Sequence, residues 1–149
     1  MVEARRGFAD QSPPDNPTPP PFADLPGNHV TLRVGPGMYL IYAHMKPGSV
    51  RVRVGERVRR GQVLGRLGNS GNSATPHLHL QVQTTRSIAG DGLPFVFRRF
   101  RFLGQITSPD LSDEILGLRS NGQLPFARAS DPGARRHQMP FDRSVVRFP

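Results

Sequence analysis

The sequence of 149 residues predicts an all-β fold, a small antiparallel sheet or sandwich with an irregular N-terminal arm and C-terminal tail. Three observations predict it. Short stretches alternate apolar and polar residues with period two. Gly- and Pro-rich turns separate those stretches at close intervals. Apolar residues almost nowhere recur at the three- and four-residue spacing of an amphipathic helix.

Residues 1–27 form the arm: seven prolines fall between Pro13 and Pro26 among Asp, Ser, Asn and Thr, with no periodicity. The first strand begins at His29, where Val30, Leu32 and Val34 alternate with Thr31 and Arg33. Gly35-Pro36-Gly37 turns the chain into a second strand, Met38 to His44, making a hairpin. Val50, Val52 and Val54 alternate with arginines in a third strand, and Gln62 to Gly68 reads as a short fourth bounded by glycines. After the small polar loop Asn69 to Pro76, residues His77 to Gln83 form a strand with Leu78, Leu80 and Val82 on one face. Phe95, Phe97, Phe100 and Phe102 interleave with arginines in a last strand, expected to turn its rings inward. The β domain is therefore expected over 28–103. Residues 104–149 read as a mostly irregular extension, with a short helix suggested around Asp110 to Leu118.

Composition removes several chemistries. With no cysteine there is no disulfide, thiolate zinc site, iron–sulfur cluster or cysteine nucleophile, so a metal must be held by histidine and carboxylate. The longest apolar run, Met38 to Ala43, is far short of the about 20 residues that span a bilayer. No signal peptide or transmembrane segment is encoded in this chain. The formal charge of +9 rests almost wholly on arginine, since Lys46 is the single lysine. Such a balance suits nucleic acid, anionic lipid or an acidic wall polymer.

Histidine carries the remaining signal. His77 and His79 stand two apart on a strand, so their imidazoles share one face and can converge on one ion or substrate. Gln81 shares that face, and the opposite face is apolar. His44 closes the second strand beside the small Ala43, which leaves room for a substrate or another backbone. His29 reads as a polar edge residue, and His137 lies in the polar tail without a role. The glycines framing Val54 to Gly65 are turn residues: no Gly-Lys-Ser/Thr follows, and no lysine sits there for a carrier domain.

Four motifs stand in order: Tyr42-Ala-His44, Val52 to Gly65, Gly68-Asn-Ser-Gly-Asn-Ser73 and Pro76-His-Leu-His-Leu80. Their order and spacing resemble the lysostaphin-type zinc metallopeptidases, the murein endopeptidases that hydrolyse peptide cross-links in peptidoglycan. The resemblance covers about residues 27–83 and corresponds to the C-terminal part of the catalytic domain. It implies a small antiparallel β-fold with a groove, His79 as a zinc ligand, and His44 and His77 as the unliganded catalytic pair. It also implies a cell-envelope or secreted location and peptidoglycan peptides as partner, with no nucleic acid.

The family draws its other two zinc ligands from an upstream His-x-x-x-Asp. Here Arg33 stands four residues after His29 and Phe141 four after His137. The expectation is a chain that begins inside the domain and is inactive alone for want of those ligands. The alternative is a degenerate, non-catalytic domain that binds cell wall or a partner. A basic nucleic-acid-binding β domain, resting on charge and the Arg–Phe strand, stands behind both.

Overall fold

The structure, a computed structural model, describes residues 2–10, 20–107 and 126–149. The chain divides into two compact units, Met1–Pro94 and Phe95–Pro149. Both are built of antiparallel strands, and the described residues contain no α-helix, only a 3-10 turn at Phe22–Asp24. The all-β expectation is met.

The first unit is a four-stranded sheet in the order β1 (Val2–Arg5), β2 (His29–Gly35), β3 (Met38–Ala43), β4 (His79–Gln83). The β2–β3 hairpin is the predicted one, and Gly37 supplies the positive φ of 61° that its turn requires. On one face, Val30 and Leu32 meet Met45 and Val52 in the buried core, with Leu40, Tyr42, Val50 and Leu64 packed around them. On the other face the register lines up Thr31, Ile41 and Gln81 across three strands, and next to them Ala43 and His79. Thr31 and Ile41 are buried as well, so the sheet is covered on both faces at its centre.

Several element expectations are corrected. β1 pairs with β2 inside the stretch expected to be an irregular arm. Val50–Val54 and Gln62–Gly68 are extended but are not ladder strands. They touch through the bond from Arg51 N–H to Leu64 O at 2.8 Å, and the second segment also meets the chain around Lys46, whose N–H bonds Arg66 O at 2.9 Å, with isolated bridges Met45↔Leu67 and Gly68↔His77. Only Val52 of the valine alternation is fully buried, while Val54 and Val63 are exposed. A period-two pattern records which residues can be buried, whereas a ladder also needs an edge of matching length. Val34 is exposed too, because the β2–β3 register slips between Arg33 and Gly35.

The second unit is a three-stranded sheet, β6 (Ala127–Gln138), β5 (Phe97–Gln105), β7 (Ser144–Arg147), with β5 in the middle. The Phe–Arg strand, expected in one β domain with the histidines, pairs among the described residues with the C-terminal strands. Phe100 is buried, and Phe148 lies 4.7 Å from Phe97 and 6.2 Å from Phe100 between ring centroids. The twelve-residue β6 and β7 replace the irregular extension expected there. The helix suggested around Asp110 to Leu118 and most of the Pro-rich arm lie outside the described residues.

Candidate metal centre

The site begins where β3 ends. His44 follows the last strand residue and takes a left-handed backbone, φ 58°, unusual outside glycine, which swings its ring off the strand direction. Its N–H bonds Pro26 O at 2.9 Å, and its Nδ1 lies 2.8 Å from Ser70 O. A carbonyl only accepts, so Nδ1 carries the proton and Nε2 presents a lone pair.

The carbonyl that holds His44 is itself held. Gly27 and Gly71 lie backbone against backbone: a Cβ on Gly27 would come 2.4 Å from the carbonyl carbon of Ser70, and one on Gly71 would come 2.4 Å from Gly27 N. Both have positive φ, +59° and +79°. Asn28, buried beside them, donates its backbone N–H to Ser70 Oγ at 2.9 Å and its side-chain amide to Phe8 O at 2.7 Å. Ser70 Oγ in turn donates to Met45 O at 2.8 Å. Loop 69–72 is thereby fastened under the end of β3 by buried, satisfied polar groups.

His77 precedes β4 and is exposed. Its Nδ1 lies 2.8 Å from Thr75 O, again leaving the lone pair at Nε2. His79 opens β4, half-buried, directly across from Ala43. Here the bonded ring atom is Nε2, 3.1 Å from Gln81 Oε1.

The three imidazoles predicted from sequence come together. Ring centroids are 4.7 Å apart for His44–His77 and 5.6 Å for His44–His79. Each residue offers a nitrogen within 4.8 Å of the others, and this is the one such metal-competent group among the described residues. The acidity of His44 is increased: burial is the main cause, and the nearby imidazoles of His77, His79 and His29 add to it, while the bond to Ser70 O works the other way. A neutral ring with its lone pair outward is thereby favoured. Nitrogen donors whose tautomers are set by neighbouring oxygens are of the kind that zinc takes, so His79 suits that ion as one ligand of a larger set. His29, expected at a polar edge, is half-buried with Nδ1 2.8 Å from Gly27 O, and His137 lies on β6 in the second unit.

Sequence reasoning did not find Gly27, Asn28, Ser70 or Gln83 as parts of this neighbourhood. The Gly68-Asn-Ser-Gly motif was the available signal for Ser70, but nothing in it tells which carbonyl faces a ring 26 residues away.

Part of this chain is similar to known proteins. The model of peptidase family M23 matches residues 20–90. Glycyl-glycine endopeptidase ALE-1 of Staphylococcus capitis is 36% identical over 73 residues, covering 47% of this chain and 20% of the relative. Lysostaphin of Staphylococcus simulans is 34% identical over 73 residues, covering 47% of this chain and 15% of the relative. Endolysin 2638A of Staphylococcus phage 2638A is 44% identical over 46 residues, 29% of this chain and 10% of the relative. The chain spans a fifth or less of these relatives' length. No solved structure matches it. The matched residues, the motifs and the all-β sheet together place residues 20–90 within the lysostaphin-type peptidases of family M23, as a partial match to their catalytic domain.

Proposed function

We propose that this chain provides the catalytic histidines of a zinc endopeptidase that hydrolyses peptide cross-links in peptidoglycan. The observation that carries the reading is the convergence of His44, His77 and His79, each with a tautomer set by a neighbouring oxygen acceptor. His79 is the metal ligand, and His44 and His77 are the catalytic pair. Bound zinc supplies a Lewis acid that polarises a peptide carbonyl and acidifies water. His44, neutral by burial and tethered at Nδ1 to Ser70 O, holds Nε2 ready to take a proton from water. His77, exposed beside it, meets the substrate from the open side, where its ring can orient water or bond the oxygen on which charge develops. The relative named a glycyl-glycine endopeptidase supports a glycine-containing cross-link as substrate, and action on such a cross-link would place the protein in the cell envelope or outside the cell.

The chain contains no His-x-x-x-Asp, and a single family ligand is too few for a tight zinc site. The expected outcome for the chain as given is less than one zinc by elemental analysis and no cleavage of glycine-bridged peptidoglycan peptides. Joining a segment that carries a His-x-x-x-Asp to the N-terminus is expected to add both, and His79→Ala in that longer product is expected to abolish both. Full activity of His79→Ala would sink the assignment. The second reading, wall binding without catalysis, is favoured by the same missing ligand pair, and it prevails if the longer product binds walls yet neither holds zinc nor cleaves.

A further inference from the structure

His79 is the first member of a line of side chains that runs along one face of β4. Gln81 and Gln83 follow at two-residue intervals, so all three project to the same side. His79 Nε2 lies 3.1 Å from Gln81 Oε1, Gln81 Nε2 lies 2.6 Å from Gln83 Oε1, and Gln83 Nε2 lies 2.8 Å from Thr85 O. Gln83 Nε2 also bonds Ser87 O. Gln83 is fully buried, and Gln81 is half-buried.

The direction of this line follows from its far end. Thr85 O and Ser87 O are backbone carbonyls and can only accept, so the group of Gln83 that faces them must be its NH2. The Oε1 of Gln83 therefore faces Gln81 and requires the NH2 of Gln81 there. That leaves Oε1 of Gln81 toward the imidazole, and an amide oxygen accepts but does not donate. The ring nitrogen it meets must carry a proton. Two main-chain carbonyls thus determine, through two glutamines, which nitrogen of His79 is protonated.

We infer that Gln81 and Gln83 are positioning residues that hold His79 in the Nε2–H tautomer and so present its Nδ1 lone pair to the metal. This rests on the proposed role of His79 as a ligand. It gives His79 the tautomer opposite to those of His44 and His77, whose Nδ1–H groups are directed to Ser70 O and Thr75 O. One imidazole then keeps its free lone pair at Nδ1 and two keep theirs at Nε2. In solution the Nε2–H form is commonly the preferred one, but a free ring samples both forms and both orientations. The relay removes that freedom before any ion arrives, the arrangement that raises ligand basicity and fixes ring orientation in metal-binding histidines.

The test reads the tautomer directly. Long-range nitrogen–proton NMR correlations of the metal-free chain, recorded above the imidazole titration range, are expected to show His79 protonated at Nε2 alone. Gln81→Leu is expected to mix the two tautomers or free the ring to rotate, while His44 and His77 keep their Nδ1–H forms. Gln81→Glu, which still offers an oxygen to Nε2, is expected to retain the Nε2–H form. Gln83→Leu, which touches no imidazole, is expected to loosen His79 in the same way. Should that variant fail to fold, the Gln81 pair decides. In the product extended by a His-x-x-x-Asp segment, zinc affinity measured by chelator competition is expected to fall about 10- to 100-fold in Gln81→Leu and to be preserved in Gln81→Glu. An Nδ1–H tautomer of His79 in the wild-type chain would overturn the inference, as would a Gln81→Leu variant with unchanged tautomer and unchanged zinc affinity. A chain with the expected tautomer but no zinc in any product upholds the relay and removes only the peptidase reading.

Discussion

Single residues decide how tightly the His44 end of the site is built. Gly27 and Gly71 have no room for a side chain, since each would place a Cβ 2.4 Å from the other's backbone neighbourhood, and each lies at positive φ. Gly27→Ala therefore forces the 69–72 loop away from β3 and strains its own backbone as well. The expected loss is about 3 kcal/mol of stability, the sum of an overpacking and a left-handed-backbone penalty. Chemical denaturation of the variant checks this, and a change below about 1 kcal/mol, ordinary for a tolerated surface substitution, would mean the loop relaxes freely. Where the variant still folds, the bond from His44 Nδ1 to Ser70 O is expected to be lost with it. The histidines were legible in the sequence because a period-two strand puts alternate residues on one face. Asn28 and Ser70 were not, because their partners lie 17 to 42 residues away along the chain and are main-chain atoms that no side-chain pattern encodes.

At the scale of elements, the hairpin β2–β3 was readable because its alternation and its Gly-Pro-Gly turn agree, and β4 because Leu80 and Val82 alternate with polar partners. The segments around Val52 and Leu64 misled because their apolar residues serve packing without a ladder. β6 was hidden: Ala127–Gln138 contains Pro132-Gly133, shows no alternation, and becomes a strand only because β5 offers it an edge. That edge has an unusual composition. Arg99 stands opposite Arg136 and Arg101 opposite Arg147, all four exposed and on one face of the sheet. Directly opposed like charges destabilise an antiparallel pair. Arg136→Glu replaces one repulsive pair by an attractive one and is expected to stabilise the second unit by about 1 kcal/mol at low ionic strength. The gain is expected to shrink at about 1 M salt, where the screening length is about 3 Å. Circular dichroism melts at two salt concentrations measure it, and a gain independent of salt would show that charge is not its source.

The whole molecule is two compact units of unequal cores. The first buries Val30, Leu32, Ile41, Ala43, Met45 and Val52, whereas Phe100 is the large hydrophobic residue of the second that is buried among the described residues. A three-stranded sheet with so little buried apolar surface, and with arginines facing one another across its middle strand, has a small margin over chain entropy. The units are therefore expected to unfold separately, the second at lower temperature. The composition makes this measurable without labels. The chain has no tryptophan, and its two tyrosines, Tyr39 and Tyr42, both stand on β3 of the first unit. Tyrosine fluorescence reports that unit alone, while far-ultraviolet circular dichroism sums both. The dichroism transition is expected to begin below the fluorescence midpoint and to show two steps, with the His44, His77 and His79 signals in NMR persisting through the first. Coincident transitions by both probes would mean that the two sheets share one cooperative unit, and that the imidazole cluster depends on Phe95–Pro149 for its stability.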